Sequence, residues 1–148
     1  MLTIPFLTIL AQQMPETIAV ETPEVDISYG ELVTAVNALA VALQTLDPIE
    51  GSRVAVYGDV NLNYWLSTLA IHAAGKVMVP LSLTRSGEEL MSILNTTQPT
   101  AILTAKQHTN TLPCDSDLII CFEQFEGLVR TYAGQTPTIT SHTLSCAP

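Results

Sequence analysis

The sequence predicts an α/β fold: a mainly parallel sheet of four or five strands with helices on both faces. Two observations carry this. Residues 51–90 read as strand, turn, helix, glycine stop, strand: an apolar run at 54–57, then Gly58 and Asp59, an amphipathic segment at 61–74, Gly75, and a second apolar run at 77–81. That is a βαβ unit, which builds a parallel sheet with a right-handed crossover as the default. Two more short apolar runs, 101–104 and 118–121, continue the alternation of strand and helix that marks an α/β sandwich.

Each element has its local reason. Residues 6–14 predict a short helix ended by Pro15, and 17–20 a brief strand. The polar stretch 21–24, broken by Pro23, turns that strand into a hairpin leading to Ile27. Ser28 and Glu31 have the spacing of a capping box, in which each side chain satisfies a backbone N–H of the first helical turn. Leu32, Val36, Leu39, Leu43 and Leu46 follow on one stripe, and Asp47-Pro48 with Gly51 ends the helix. In the helix of the βαβ unit, Leu62, Trp65, Leu66, Leu69, Ala70 and Ala73 share a face. Trp65 is read there as core packing or a contact between subdomains, with ligand stacking as the alternative. Gly75 is a C′ residue with positive φ. Ser86 and Glu89 form a second capping box ahead of Leu90, Ile93 and Leu94. Pro99 precedes the strand at 101–104, and 122–132 is helical with an interruption at Gly127. Residues 1–133 make one domain, and the Thr-, Ser- and Pro-rich stretch 134–148 reads as an extended linker.

Composition narrows the function classes. Apolar residues make up 47% and charged residues only 13%, about half the usual charged share. So apolar a chain is expected to have part of its surface covered by more of the same protein or by a partner. The net charge is −9, and seven carboxylates precede the first cation, Arg53. Such a surface repels phosphate backbones and anionic headgroups, which argues against nucleic acid and membrane surfaces as partners. No apolar run approaches the roughly twenty residues of a membrane span. Residues 1–11 are apolar, but they lack a cationic n-region and contain Pro5, which argues against a signal peptide. Three cysteines, Cys114, Cys121 and Cys146, are too few and odd in number for a disulfide framework, so a reducing cytoplasm is expected.

Four segments in order resemble the start of the adenylate-forming enzymes: acyl-CoA synthetases, fatty-acyl-AMP ligases, luciferases and peptide-synthetase adenylation domains. Ile27-Ser28-Tyr29-Gly30-Glu31-Leu32 is similar to their first core motif, Leu-Thr/Ser-Tyr-x-Glu-Leu. Gly51-Ser52-Arg53-Val54-Ala55-Val56 resembles their Gly-Asp-Arg-Val strand. Ala73-Ala74-Gly75-Lys76-Val77-Met78-Val79-Pro80-Leu81 resembles the second core motif, and Glu88-Glu89-Leu90 sits where the family has Pro-Glu-Glu-Leu. The resemblance implies a Rossmann-like first subdomain of an ATP-dependent acid ligase. Such an enzyme activates a carboxylic acid as its acyl-adenylate with ATP and Mg²⁺, then passes it to CoA or a carrier-protein thiol.

Adenylate formation needs amides and hydroxyls around a triphosphate, a carboxylate for Mg²⁺ and a cation at the reacting phosphate. The family's Thr-Ser-Gly-Thr-Thr-Gly-x-x-Lys loop, its Tyr-Gly-x-Thr-Glu motif, its ribose-binding Asp motif and its late catalytic Lys do not occur in these 148 residues. No catalytic, cofactor-binding or metal-ligating residue is therefore expected. The chain should be scaffold and part of an acyl-pocket wall, inactive alone and paired with the remainder of the ligase. The alternative is a free-standing truncated paralogue that binds a partner or itself through an apolar face.

Other constellations read as structural. Gly75-Lys76 lacks the remaining residues of a P-loop, and Lys76 is expected on the surface at a strand entrance. His108, Cys114 and Cys121, or His142 and Cys146, match no zinc spacing. His72 lies near the negative end of its helix, where a cation is mildly favoured. Arg53 and Arg85 are expected to pair with carboxylates.

Overall fold

The computed structural model describes residues 4–138. It begins with α1 (Ile4–Gln13), the strands β1 (Ile18–Glu21) and β2 (Asp26–Ser28), and α2 (Tyr29–Leu46). Next come β3 (Arg53–Tyr57), α3 (Leu62–Ala73), β4 (Val77–Leu81), α4 (Gly87–Thr97) and β5 (Ala101–Thr104). After two 3₁₀ turns, β6 (Ile119–Cys121) leads through a third into α5 (Phe125–Tyr132).

β1 and β2 pair antiparallel as the expected hairpin, with the turn at 22–25 closed by Thr22 N–H to the Val25 carbonyl. The other four strands are all parallel, in the order β4-β3-β5-β6. The chain moves outward from β3 to β4, then back past β3 to β5. Two crossovers of one hand do this only if their helices lie on opposite faces, and they do. Val54, Val56, Ala101 and Leu103 pack with residues of α1, α2, α3 and α5, whereas Ala55, Tyr57, Val79, Leu81 and Ile102 pack with Leu90 and Leu94 of α4. β3 and β5 are thus buried on both faces, which is why their sequences are continuous apolar runs.

The helix starts follow their sequence signals. Ser28 and Ser86 each accept from the backbone N–H three residues on, while Glu31 and Glu89 return the bond to the cap N–H, completing both capping boxes. Asn61 caps α3 by accepting from Tyr64 N–H at 3.1 Å. Gly75 has φ +74°, as its place after α3 requires. Gln98 ends α4 in the same left-handed region at φ +45° without being glycine.

The structure departs from the sequence reading at several points. The buried stripe of α2 ends at Leu43, and Leu46 is exposed beside the loop to β3. α5 runs unbroken through Gly127, whose position meets no neighbouring atom within 4 Å. Lys76 is not on the surface but 4% exposed, and Trp65 is not in the core but 57% exposed. Of the expected linker, residues 139–148 lie outside the described residues. Thr138 is held by Gln44, whose Oε1 accepts from its N–H at 2.9 Å.

Candidate functional site

Parallel α/β sheets bind ligands beyond the carboxyl ends of their strands. Here those ends are level: Tyr57 is opposite Leu81 and Thr104, and Thr104 opposite Cys121. The rim is stiffened from below. Buried Thr104 donates its hydroxyl to the Tyr57 carbonyl at 2.6 Å, tying β5 to β3. The Tyr57 hydroxyl lies 3.1 Å from Thr111 Oγ1, and its ring meets His108 edge-on, with centroids 6.0 Å apart. Gly58 leaves the sheet beneath Phe122, 3.5 Å from where a Cβ would sit.

Beyond this rim is a groove of about 500 Å³ between the ends of β3 and β4, lined by Gly58, Asp59, Tyr64, Pro80, Ser82 and Arg85 among others. Its polar groups are partly spent on local order. Ser82 and Thr84 share a hydrogen bond at 2.7 Å, and Arg85 pairs with Glu89 at 3.0 Å. The Ser86 backbone N–H first, then Arg85 and the Ser86 hydroxyl, hold the Glu89 carboxyl below its ordinary value. The residues that line the groove include no histidine, cysteine or lysine.

A second, larger cleft of about 710 Å³ opens between α1, β1 and the first halves of α2 and α3. Leu7, Val20, Leu32, Leu62 and Leu69 line it, together with Trp65, and Glu21 and Thr22 stand at its edge. The spacing of Leu62, Trp65 and Leu69 placed all three on one face correctly. Of the two readings for Trp65, its exposure overturns core packing and agrees with a contact between subdomains.

At the opposite, amino end of the sheet sits the buried charge. Lys76 Nζ donates to the carbonyl oxygens of Asp47 and Ile49 and lies 3.5 Å from Asp47 Oδ2. Asp47 Oδ1 accepts from Ile49 N–H at 3.1 Å. Burial pushes the Asp47 carboxyl up, but the Ser52 hydroxyl, the Ile49 N–H, the Thr100 hydroxyl and the Lys76 charge together leave it below its ordinary value. Gly51 N–H to the Gly75 carbonyl and Val77 N–H to the Ser52 carbonyl, both 2.9 Å, complete the knot. Lys76 therefore fastens the loop after α2 to the start of β4, at the other end of the sheet from the carboxyl-end groove. The sequence offered no signal for this, because the partners are main-chain oxygens 27 and 29 residues away.

The remaining candidates stay apart. Cys114 is pushed to a higher pKa by burial and by Asp115, the opposite of an activated thiol. His72 is exposed in the last turn of α3. His142 and Cys146 lie outside the described residues. Among the described residues, no three His, Cys, Asp or Glu side chains cluster so as to hold a metal ion. Among them, too, no helix is long and apolar enough to cross a membrane.

With this geometry in hand, the comparison with known proteins is decisive. Residues 8–137 match the family of AMP-binding enzymes. The chain belongs to that family. A curated relative, N-(5-amino-5-carboxypentanoyl)-L-cysteinyl-D-valine synthase of Penicillium rubens, is 26% identical over 141 residues, covering 94% of this chain and 4% of that protein. A CoA ligase of Rhodococcus jostii is 30% identical over 95 residues, covering 64% of this chain and 18% of its own. Among solved structures, the N-terminal domain of FACL13 from Mycobacterium tuberculosis superposes with a TM-score of 0.78 at 19% identity, over 94% of this chain and 38% of that one. The chain thus spans a small part of its curated relatives, and the AMP-binding α/β subdomain is the part it shares with them.

Proposed function

We propose that this chain is the first subdomain of an ATP-dependent acid ligase. The whole enzyme would activate a carboxylic acid as its acyl-adenylate and hand it to CoA or to a carrier-protein thiol. The observation that carries this reading is the family match over residues 8–137. In this reading the level rim of β3, β4 and β5 is scaffold, and the groove above it is one wall of a ligand site closed by residues outside this stretch. ATP and Mg²⁺ would be held by those other residues. A cytoplasmic location follows as part of the same proposal. A second reading, a free-standing binding module, takes its support from the open cleft beside Trp65.

The test is exchange of labelled pyrophosphate into ATP over a panel of carboxylic acids, with the 148-residue chain and with the longest product of its gene. The expected result is exchange by a gene product that extends past Pro148 and none by the 148 residues alone. Exchange by the short chain would overturn the scaffold role. A gene product that ends at Pro148 and lacks exchange would leave the binding-module reading in its place.

A further inference from the structure

The stretch after α5 is tied down by one side chain of α2. α5 ends at Tyr132, Gly134 takes the left-handed region at φ +83°, and the Gln135 N–H closes the turn on the Tyr132 carbonyl at 3.1 Å. Beyond that turn, Gln44 Nε2 donates to the Thr138 carbonyl at 3.0 Å, and Gln44 Oε1 accepts from the Thr138 N–H at 2.9 Å. The same Nε2 donates to the carbonyl of Ala74, the C-cap of α3, at 3.2 Å. One amide thus uses both its donors and its acceptor, on two segments 30 and 94 residues away in sequence.

The grip on Thr138 is bidentate. A primary amide presents a donor and an acceptor side by side, and so does the main chain of one extended residue. The two bonds therefore copy a rung of a sheet. The Ala74 carbonyl belongs to the last turn of a helix, where such groups lack a partner within the helix. Its bond to Nε2 satisfies it and orients the amide toward Thr138. The place matters as much as the chemistry. Gln44 lies just ahead of Asp47 and Ala74 just ahead of Lys76, so the grip sits beside the buried charge at the amino end of the sheet.

We propose that Gln44 is a latch. It makes residues 133–138 a strap of the folded unit rather than the start of a linker, and it fixes the amino end of the sheet as the place from which the following residues depart. The ends of a domain fray unless something ties them down. Here the tie is two hydrogen bonds in an exposed setting. Each competes with water, so the latch opens and recloses without unfolding the core. One consequence rests on the ligase reading: the remainder of the enzyme is then tethered at the end of the sheet opposite the groove that it closes.

Amide hydrogen exchange of the 148-residue chain, followed by NMR, tests the latch. Thr138 is exposed, so burial does not slow the exchange of its N–H. That N–H should exchange at least tenfold more slowly than in a synthetic peptide spanning residues 133–143. Gln44→Met keeps the length of the side chain and removes all three bonds. The Thr138 N–H should then reach the rate of the peptide, while the N–H groups of Val56 and Leu103, in the core strands, accelerate far less. Gln44→Asn, one methylene too short for both contacts, should release the strap in the same way and serves where Met disturbs α2. Circular dichroism establishes that each variant is folded. Three results would overturn the proposal. The first is a Thr138 N–H that already exchanges at the rate of the peptide in the unsubstituted chain. The second is protection that survives both substitutions. The third is equal acceleration at Thr138, Val56 and Leu103, which would make Gln44 a residue of general stability. None of these outcomes bears on pyrophosphate exchange, so the latch and the ligase reading fail separately.

Discussion

The two ends of the parallel sheet are built on opposite principles. At the amino end, the lysine ammonium is out of water and saturated by two carbonyls and a carboxylate. At the carboxyl end, Arg85, Ser82 and Asp59 are exposed around an open groove, and Trp65 stands uncovered nearby. One end is closed on itself, and the other offers groups to something else. The lesson is that a charge inside this fold reports stability, while a function is to be sought where polar and aromatic groups are left facing outward.

That contrast breaks first at Lys76. Removing one partner of a buried pair typically costs about 3–5 kcal/mol, because the other is left without compensation. Lys76→Met should lower unfolding stability by that order in a denaturant titration. A loss below about 1 kcal/mol would show that the amino end is not locked by this charge. The same site should be felt in acid. The folded-state pKa of Asp47 lies below its unfolded value, so its contribution is present at neutral pH and is lost as pH falls through the folded pKa. Asp47→Asn should flatten the stability profile below about pH 4, and an unchanged slope would assign acid sensitivity to other carboxylates.

A smaller effect is expected at the start of α4, which borders the carboxyl end. Ser86→Ala removes the cap and one half of the box, for a loss of about 1 kcal/mol by chemical denaturation. A loss comparable to that of Lys76→Met would mean that the two ends are equally rigid. The smallest effect belongs to Trp65. Trp65→Ser should change stability by no more than about 0.5 kcal/mol, as for a position more than half exposed. A larger loss would place the indole back in the core.

Local features were legible in the sequence for a physical reason. Capping boxes, the glycine after α3 and the alternation of apolar runs are set by residues within a few positions of one another, so Ser28, Gly75 and Ser86 act as expected. The parallel sheet with helices on both faces follows from that alternation, whereas the strand order does not. Lys76 was misread because its surroundings are assembled from a distant loop before β3; of the two readings for Trp65, core packing fails on its 57% exposure, whereas a contact between subdomains agrees with it. Gly127 was misread as a break because glycine weakens an isolated helix. In α5 that cost is met by packing of Phe125, Leu128 and Val129 against the core. Of the candidate site, the sequence showed what was missing from an adenylating centre but not where the remaining surface would open.

Lys76 also gives the chain a built-in gauge of its own opening. It has two lysines, Lys76 and Lys106, and the second is exposed at the start of a 3₁₀ turn. An acylating reagent can reach Lys106 in the folded chain but Lys76 only when the loop at 47–52 lifts away. The ratio of label on the two amines, read by mass spectrometry, therefore times that lifting. By the same token, an enzyme that acetylates Lys76 must act before the chain folds or while that loop is lifted, and a chain so modified could not close the knot.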